Sequence, residues 1–277
     1  MAVNIEKKYQ KLTDTEHVLL RPGMYVGSIK PHTEEVFLPT KGKDQFQLTE
    51  VTYNPGFLKL FDEIVSNSVD EHKRNSKLNK VKINIDMSTG LISIWDNGGI
   101  PVKIHKEYDE WVPEMIFSNL KTGSNFDDTE DRIVVGTNGV GSTLTNIFSK
   151  EFTIETCDGK KQFNQKFSNN MADRTKPKIT NKKTAHTQIT YLTDFERFGL
   201  KGINKNHYLM ITKRLIDIAA CNPTLKIYLN DKPIAFRTFK DYASRYVTPV
   251  FYEQSEHWKI GIGHSTTGFK AISFVNS

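Results

Sequence analysis

Glu63 and Asn67 stand four residues apart in a stretch with helical spacing, so an acid and an amide share one helix face. A carboxylate so placed can orient and deprotonate a water for attack on a γ-phosphate. An amide oxygen can join phosphate oxygens and waters in the octahedral shell of Mg²⁺. Asp70 continues that face at i+7 from Glu63. Asp96-Asn97-Gly98-Gly99-Ile100-Pro101 follows a β-like run. A carboxylate there can accept from an exocyclic amine such as that of adenine. Gly98 and Gly99 let a planar base approach the backbone, with Ile100 and Pro101 beside them. The third piece is Gly136-Thr137-Asn138-Gly139-Val140-Gly141-Ser142-Thr143. Successive N–H groups leading into a helix N-terminus form a phosphate cradle. Gly123-Ser124-Asn125, in a polar stretch just before it, has the composition of a loop that closes over a nucleotide, or of a plain surface loop.

Each piece alone is weak. Glu-x-x-x-Asn is more often a solvated helix face, Asn97-Gly98 an ordinary turn, and a lone G-x-x-G-x-G specifies little. The three in this order, each on a plausible element, carry the inference to an ATP site. Cys157 and the eight His form no spaced ligand set, so no transition-metal site is expected. Asp127-Asp128 and Glu130-Asp131 read as a solvated acidic loop.

The elements that must position these residues are legible from periodicity. Thr13–Leu20 reads as a short helix capped by Thr13 or Asp14. Gln45–Tyr53 alternates as a strand. After Asn54-Pro55-Gly56, the stripe Phe57, Leu60, Phe61, Ile64, Ser68 predicts a helix with one buried face. Val81, Ile83, Ile85 and Met87, the turn Ser88-Thr89-Gly90 and Leu91–Trp95 predict a hairpin. The glycine loop opens a helix with Val140, Leu144, Ile147 and Phe148 buried. Strands are expected at Phe152–Thr156, Gln162–Phe167, Thr187–Leu192 and Leu225–Leu229, and a helix at Asn206–Ala220. His257–Gly263 and Gly268–Val275 read as two strands of a new unit, which predicts a chain truncated inside that unit at Ser277.

The 277 residues, 37% hydrophobic and 11% aromatic, support a packed core. The net charge of +6 suits contact with a polyanion without fixing one. No run approaches the ~18 apolar residues of a membrane span. Two distant cysteines fit a reducing compartment.

These residues resemble the three boxes of the GHKL ATPases, the superfamily of gyrase, heat-shock chaperones, histidine kinases and MutL. Tyr9–Thr13, continuing through Glu16–Ser28, resembles the N-terminal segment of type IIA DNA topoisomerases, and Ile272–Ser277 resembles their early transducer domain. Asn138–Ser142 with Leu144–Ser149 is most similar to the ATPase subunit of T-even-type phage topoisomerases.

The resemblance implies an α/β (α+β) fold: a two-layer sandwich of helices on a mixed β-sheet, the Bergerat fold. The ATPase domain would span 1–245 with an arm over 1–12, and 246–277 would begin the transducer. It implies Glu63 as general base, Asn67 as Mg²⁺ ligand, Asp96 as adenine reader and Gly136–Thr143 around the phosphates of ATP. Gly123–Asn125 would contact ribose and phosphate, Thr187 would support the adenine end, and Tyr9 would reach the partner's ATP site. The expected partners are a second copy of the chain in a nucleotide-dependent homodimer, DNA held without sequence preference, and the remaining topoisomerase domains or subunits. The expected place is cytoplasmic and nucleoid-associated, or the host cytoplasm for a phage protein.

Three departures from the pattern stand out. Asp96-Asn97-Gly98-Gly99 is one residue shorter than the D-x-G-x-G of many relatives. Lys59 stands where gyrase has a base-orienting His. Thr143 stands where eukaryotic relatives have a phosphate-binding Lys, and the transducer lysine of the family would fall beyond residue 277. The alternatives are a MutL-type repair clamp and a nucleotide-binding module without hydrolysis.

Overall fold

The computed structural model describes residues 9–122, 139–234, 236, 238–255, 258–266 and 268–275. Helix α1 (Asp14–Leu20) starts with a capping box: Thr13 accepts from the Glu16 N–H at 3.2 Å, and Glu16 accepts from the Thr13 N–H at 2.8 Å. Strands β1 (His32–Leu38) and β2 (Gln47–Tyr53) form a separate antiparallel hairpin. Helix α2 (Pro55–Arg74) follows Asn54, whose side chain accepts from the Phe57 N–H at 3.0 Å while its amide donates to Phe198 O at 3.0 Å. Pro55 opens the helix where no N–H is needed, and His72, Lys73 and Arg74 close it at the negative end of its dipole.

The main sheet takes β3 (Lys80–Ile85), β4 (Leu91–Asp96), β7 (Ser149–Cys157), β8 (Lys161–Ser168), β9 (Asp173–Arg174), β10 (Lys178–Asn181), β11 (His186–Thr193), β12 (Lys226–Leu229) and β13 (Lys232–Ile234). Between β4 and β7 lie the two-residue strands β5 (Ile104–His105) and β6 (Glu110–Trp111), then helices α3 (Val112–Ser118) and α4 (Gly141–Ile147). The order is β10-β8-β7-β11-β4-β3-β12-β13, with β9 on β8. Only β12 pairs its neighbour β3 in parallel, so the sheet is mixed, as expected.

Helices α2, α4 and α5 (Lys205–Cys221) cover one face. Phe57, Leu60, Phe61 and Ile64 of α2 and Leu144 and Ile147 of α4 bury against Val81, Ile83, Ile92, Ile94, Ile154 and Ile189 of the strands. Each such side chain contributes roughly 1.5–3 kcal/mol. That burial fixes the rotation of α2 about its axis and hence where Glu63 and Asn67 point. A smaller cluster of Phe46, Ile216, Ala220 and Tyr242 joins α5 to the β1–β2 hairpin, α6 (Phe239–Ala243), Tyr246 and Phe274.

The expected strand over Gly268–Val275 is absent among the described residues. The hairpin at this end pairs β14 (Phe251–Gln254) with β15 (Lys259–Ile262), the second lying within the expected 257–263. Met87 falls outside β3, beyond the last paired residue. No helix among the described residues is long and apolar enough to cross a membrane.

Candidate functional site

A cavity of about 690 Å³ opens between α2, the ends of β4 and β11, α3 and the start of α4. Its size falls within the roughly 300–1,000 Å³ of small-molecule sites. Glu63, Asn67, Asp70, Asp96, Ile100, Pro101, Gly139, Val140, Gly141, Ser142 and Thr187 all line it. Helix α2, the end of β4 with the segment after it, the start of β11 and the start of α4 therefore converge on one space.

At the inner end, Asp96 is the last residue of β4 and Thr187 lies directly opposite it on β11. Asp96 accepts from the Ser68 hydroxyl at 2.7 Å and from the Gly98 N–H at 2.9 Å. Burial pushes its carboxyl up to about 6, against the downward pull of those two bonds. The Thr156 hydroxyl donates to His186 O at 3.1 Å, so at 2.9 Å it takes the proton of the Thr187 hydroxyl. Thr187 Oγ1 is left as an acceptor at the cavity wall. Thr156 also accepts from the Ile100 N–H at 3.0 Å, tying the base loop to β7.

The shortened loop has a structural account. A Cβ on Gly99 would stand 2.2 Å from Cys157 O, and one on Gly98 2.7 Å from Leu78. Gly99 is therefore required by packing against the protein's own backbone, while Gly98 packs closely on the Leu78 side chain. Gly99 lines the cavity and Gly98 stands just behind it, its N–H held by Asp96.

At the outer end, Glu63 and Asn67 face the start of α4. The Asn67 amide nitrogen donates to Ser142 Oγ at 3.0 Å, so its oxygen takes no part in that bond. Lys59 Nζ lies 2.5 Å from Glu63 Oε1. A Cβ on Gly141 would lie 1.7 Å from Glu63 Oε2, so only glycine lets the base sit this close to α4. Gly139 has φ of +59°, a left-handed turn that glycine adopts without strain. The Thr122 N–H donates to Gly139 O at 2.9 Å.

The Thr143 hydroxyl donates to Asn119 O at 3.0 Å and its side chain is buried among α3 and α4. Only its backbone N–H could serve a phosphate. Tyr9 is exposed and does not line the cavity. The expected contacts Gly123, Ser124, Asn125, Gly136, Thr137 and Asn138 lie outside the described residues. Sequence reasoning missed Ser68 and Thr156 as site residues. Ser68 stood in the apolar stripe of α2, and a hydroxyl in a buried stripe calls for a partner.

No protein-family profile matches the chain. Its relatives and structural neighbours agree with one another. It is 42% identical to the DNA topoisomerase 2 of Acanthamoeba polyphaga mimivirus, over 99% of this chain and 23% of that protein. It superposes on the ATPase region of Saccharomyces cerevisiae topoisomerase II with a TM-score of 0.93 at 35% identity, covering 99% of this chain and 75% of that one. The ATPase and transducer domains of Balamuthia mandrillaris topoisomerase II give 0.94 at 37%, covering 99% and 73%.

The fold of helices on a mixed sheet is thus the architecture of the topoisomerase II ATPase region. The chain belongs to the family of type II DNA topoisomerase ATPase regions. It spans about a fifth of the length of the curated relatives it matches.

Proposed function

We propose that the chain binds and hydrolyses ATP and that two copies close over a DNA duplex as the entry gate of a type II topoisomerase. The single observation that carries this is the convergence of Asp96, Thr187, Asn67 and Glu63 on one cavity. Asp96 and Thr187 offer acceptors to an exocyclic amine and ring edge. Glu63, beside the start of α4, offers a carboxylate to a water aimed at the γ-phosphate. Ile100 and Pro101 give the base an apolar wall. Gly139–Thr143 offer backbone N–H groups to phosphate, together with the loop before them.

The donor set fits Mg²⁺. No cluster of three His, Cys, Asp or Glu exists among the described residues, and the Asn67 oxygen is a hard neutral ligand. Such a site suits a cation that keeps waters and takes its remaining oxygens from phosphates. Bound there, Mg²⁺ would neutralise phosphate charge. The narrower reading, a T-even-type phage ATPase subunit working in the host cytoplasm, is supported by Asn138–Ser149. The resemblance of Ile272–Ser277 supports 246–277 as the start of a transducer, and that of Tyr9–Thr13 supports an arm reaching the second copy.

The test is the mass of the chain in solution. A non-hydrolysable ATP analogue with Mg²⁺ should double it, and deletion of residues 1–12 should weaken that response. A chain that binds the analogue but stays monomeric at every concentration would overturn the gate reading.

A further inference from the structure

Two turns meet at one corner of the main sheet. The β7–β8 turn carries Lys160 and Lys161, and the segment leaving β10 carries Lys182 and Lys183. The Lys182 N–H donates to Lys160 O at 3.1 Å, and the Asp158 N–H donates to Lys161 O at 3.1 Å. Beneath them, the buried Cys157 thiol donates to Lys182 O at 3.2 Å. The corner is therefore built by backbone bonds, which bring the two lysine-bearing segments side by side. Lys103 joins them, because its neighbour Val102 donates its N–H to Asp158 at 3.2 Å. All five lysines are exposed.

The two nearby carboxylates are engaged. Asp158 Oδ1 accepts the N–H groups of Lys160 and Lys161, both at 2.8 Å, and its other oxygen accepts that of Val102. Glu155 Oε1 is 2.8 Å from His186 Nε2 and 3.5 Å from Lys182 Nζ. Lys103, Lys160, Lys161 and Lys183 form no ion pair among the described residues. Lysines on an edge strand such as β10 also keep foreign strands from pairing. That accounts for Lys178 on the edge itself and leaves the turn lysines unexplained.

We propose that this corner docks the phosphate backbone of duplex DNA. The inference rests on the reading of the chain as part of a DNA-handling enzyme and adds the place of contact. The charges are exposed and sit on neighbouring segments at the sheet edge. Long flexible ammonium groups act as point charges on phosphate and carry no sequence information. Binding there is expected to be sequence-independent and steeply salt-dependent, since each neutralised phosphate contributes about −0.9 to the slope of log K against log salt.

The test compares two charge reversals of equal size in the full chain: K160E/K161E/K183E at the corner and K201E/K226E/K232E elsewhere. Anisotropy of a labelled random-sequence duplex reads DNA affinity, and analogue binding confirms that both variants fold. The corner variant should bind DNA about tenfold or more weakly at low salt, with its slope flattened by about 2–3, while the control stays within about threefold of wild type. Equal loss in both variants, or undiminished binding by the corner variant, overturns the docking surface and leaves the gate reading intact. Failure of the unaltered chain to bind the duplex at low salt overturns both the surface and the DNA part of the proposed function.

Discussion

Lys59 and Glu63, one turn apart on α2, form an ion pair with Nζ 2.5 Å from Oε1, inside the cavity that also holds Asn67 and Ser142. Gly141 closes on the other carboxylate oxygen. One oxygen is thus held by a cation, and the other sits at the start of α4, where the proposed reaction would place its water. Both contacts depend on α2 being locked by its buried face, so the position of Glu63 is a consequence of core packing.

Lys59→Ala should therefore lower turnover more than binding. The carboxylate loses the group that fixes its rotamer, and misplacement of a base costs rate steeply. A fall of about tenfold in kcat with KM within about twofold is expected. Unchanged kcat would show that Glu63 is positioned without its neighbour.

Gly141→Ala should act at the same point from the other side. A Cβ 1.7 Å from Glu63 Oε2 cannot be accommodated without moving the carboxylate or the start of α4. Hydrolysis should fall by about two orders of magnitude or more, as for loss of a positioned base. A folded variant with wild-type turnover would mean that the packing at this contact is looser than drawn.

Asp96 gives a pH signature. As pH falls through about 6 its carboxyl takes up a proton, and an adenine amine loses its anionic acceptor. ATP affinity should drop over that range in the wild type relative to Asp96→Asn, which has no such proton to gain. The comparison cancels titration of the nucleotide's own phosphates. A constant ratio of the two affinities between pH 5 and 7 would contradict the assignment.

The same group sets a stability signature in the free protein. Its folded pKa is raised, so the folded state binds the extra proton between the ordinary carboxylate range and about 6. The sign follows: stability falls as pH rises through that window, and the cost is complete above about 6. Asp96→Asn should stabilise the chain by roughly 1–3 kcal/mol at pH 7, with the gain shrinking towards pH 4. Denaturant unfolding at the two pH values reads this directly.

How much of this was legible in the sequence follows from burial. The strands over Phe152–Thr156 and Thr187–Leu192 alternate because one face is covered by α2 and α4. The stripe of α2 located Glu63 and Asn67 for the same reason. Strand β1 escaped notice because its first four residues are all exposed and carry no alternation. The support of Asp96 and Thr187 was only partly legible: Ser68 and Thr156 reach the site from elements distant in sequence, and hydroxyl pairings across a sheet leave no periodic trace. The packing around Gly98 and Gly99 left no local trace because the atoms they meet, Leu78 and Cys157 O, lie about twenty and sixty residues away.

The most direct test of the account is Glu63→Ala, measured for ATP turnover and for nucleotide binding on the same protein. On the proposed reading, binding rests on Asp96, Thr187 and the glycine loop, whereas Glu63 takes the proton of the attacking water. Turnover should fall about 10²–10⁴-fold while ATP affinity stays within about twofold. Hydrolysis at the wild-type rate by a folded Glu63→Ala protein would contradict the assignment of Glu63 as the base and with it the central claim.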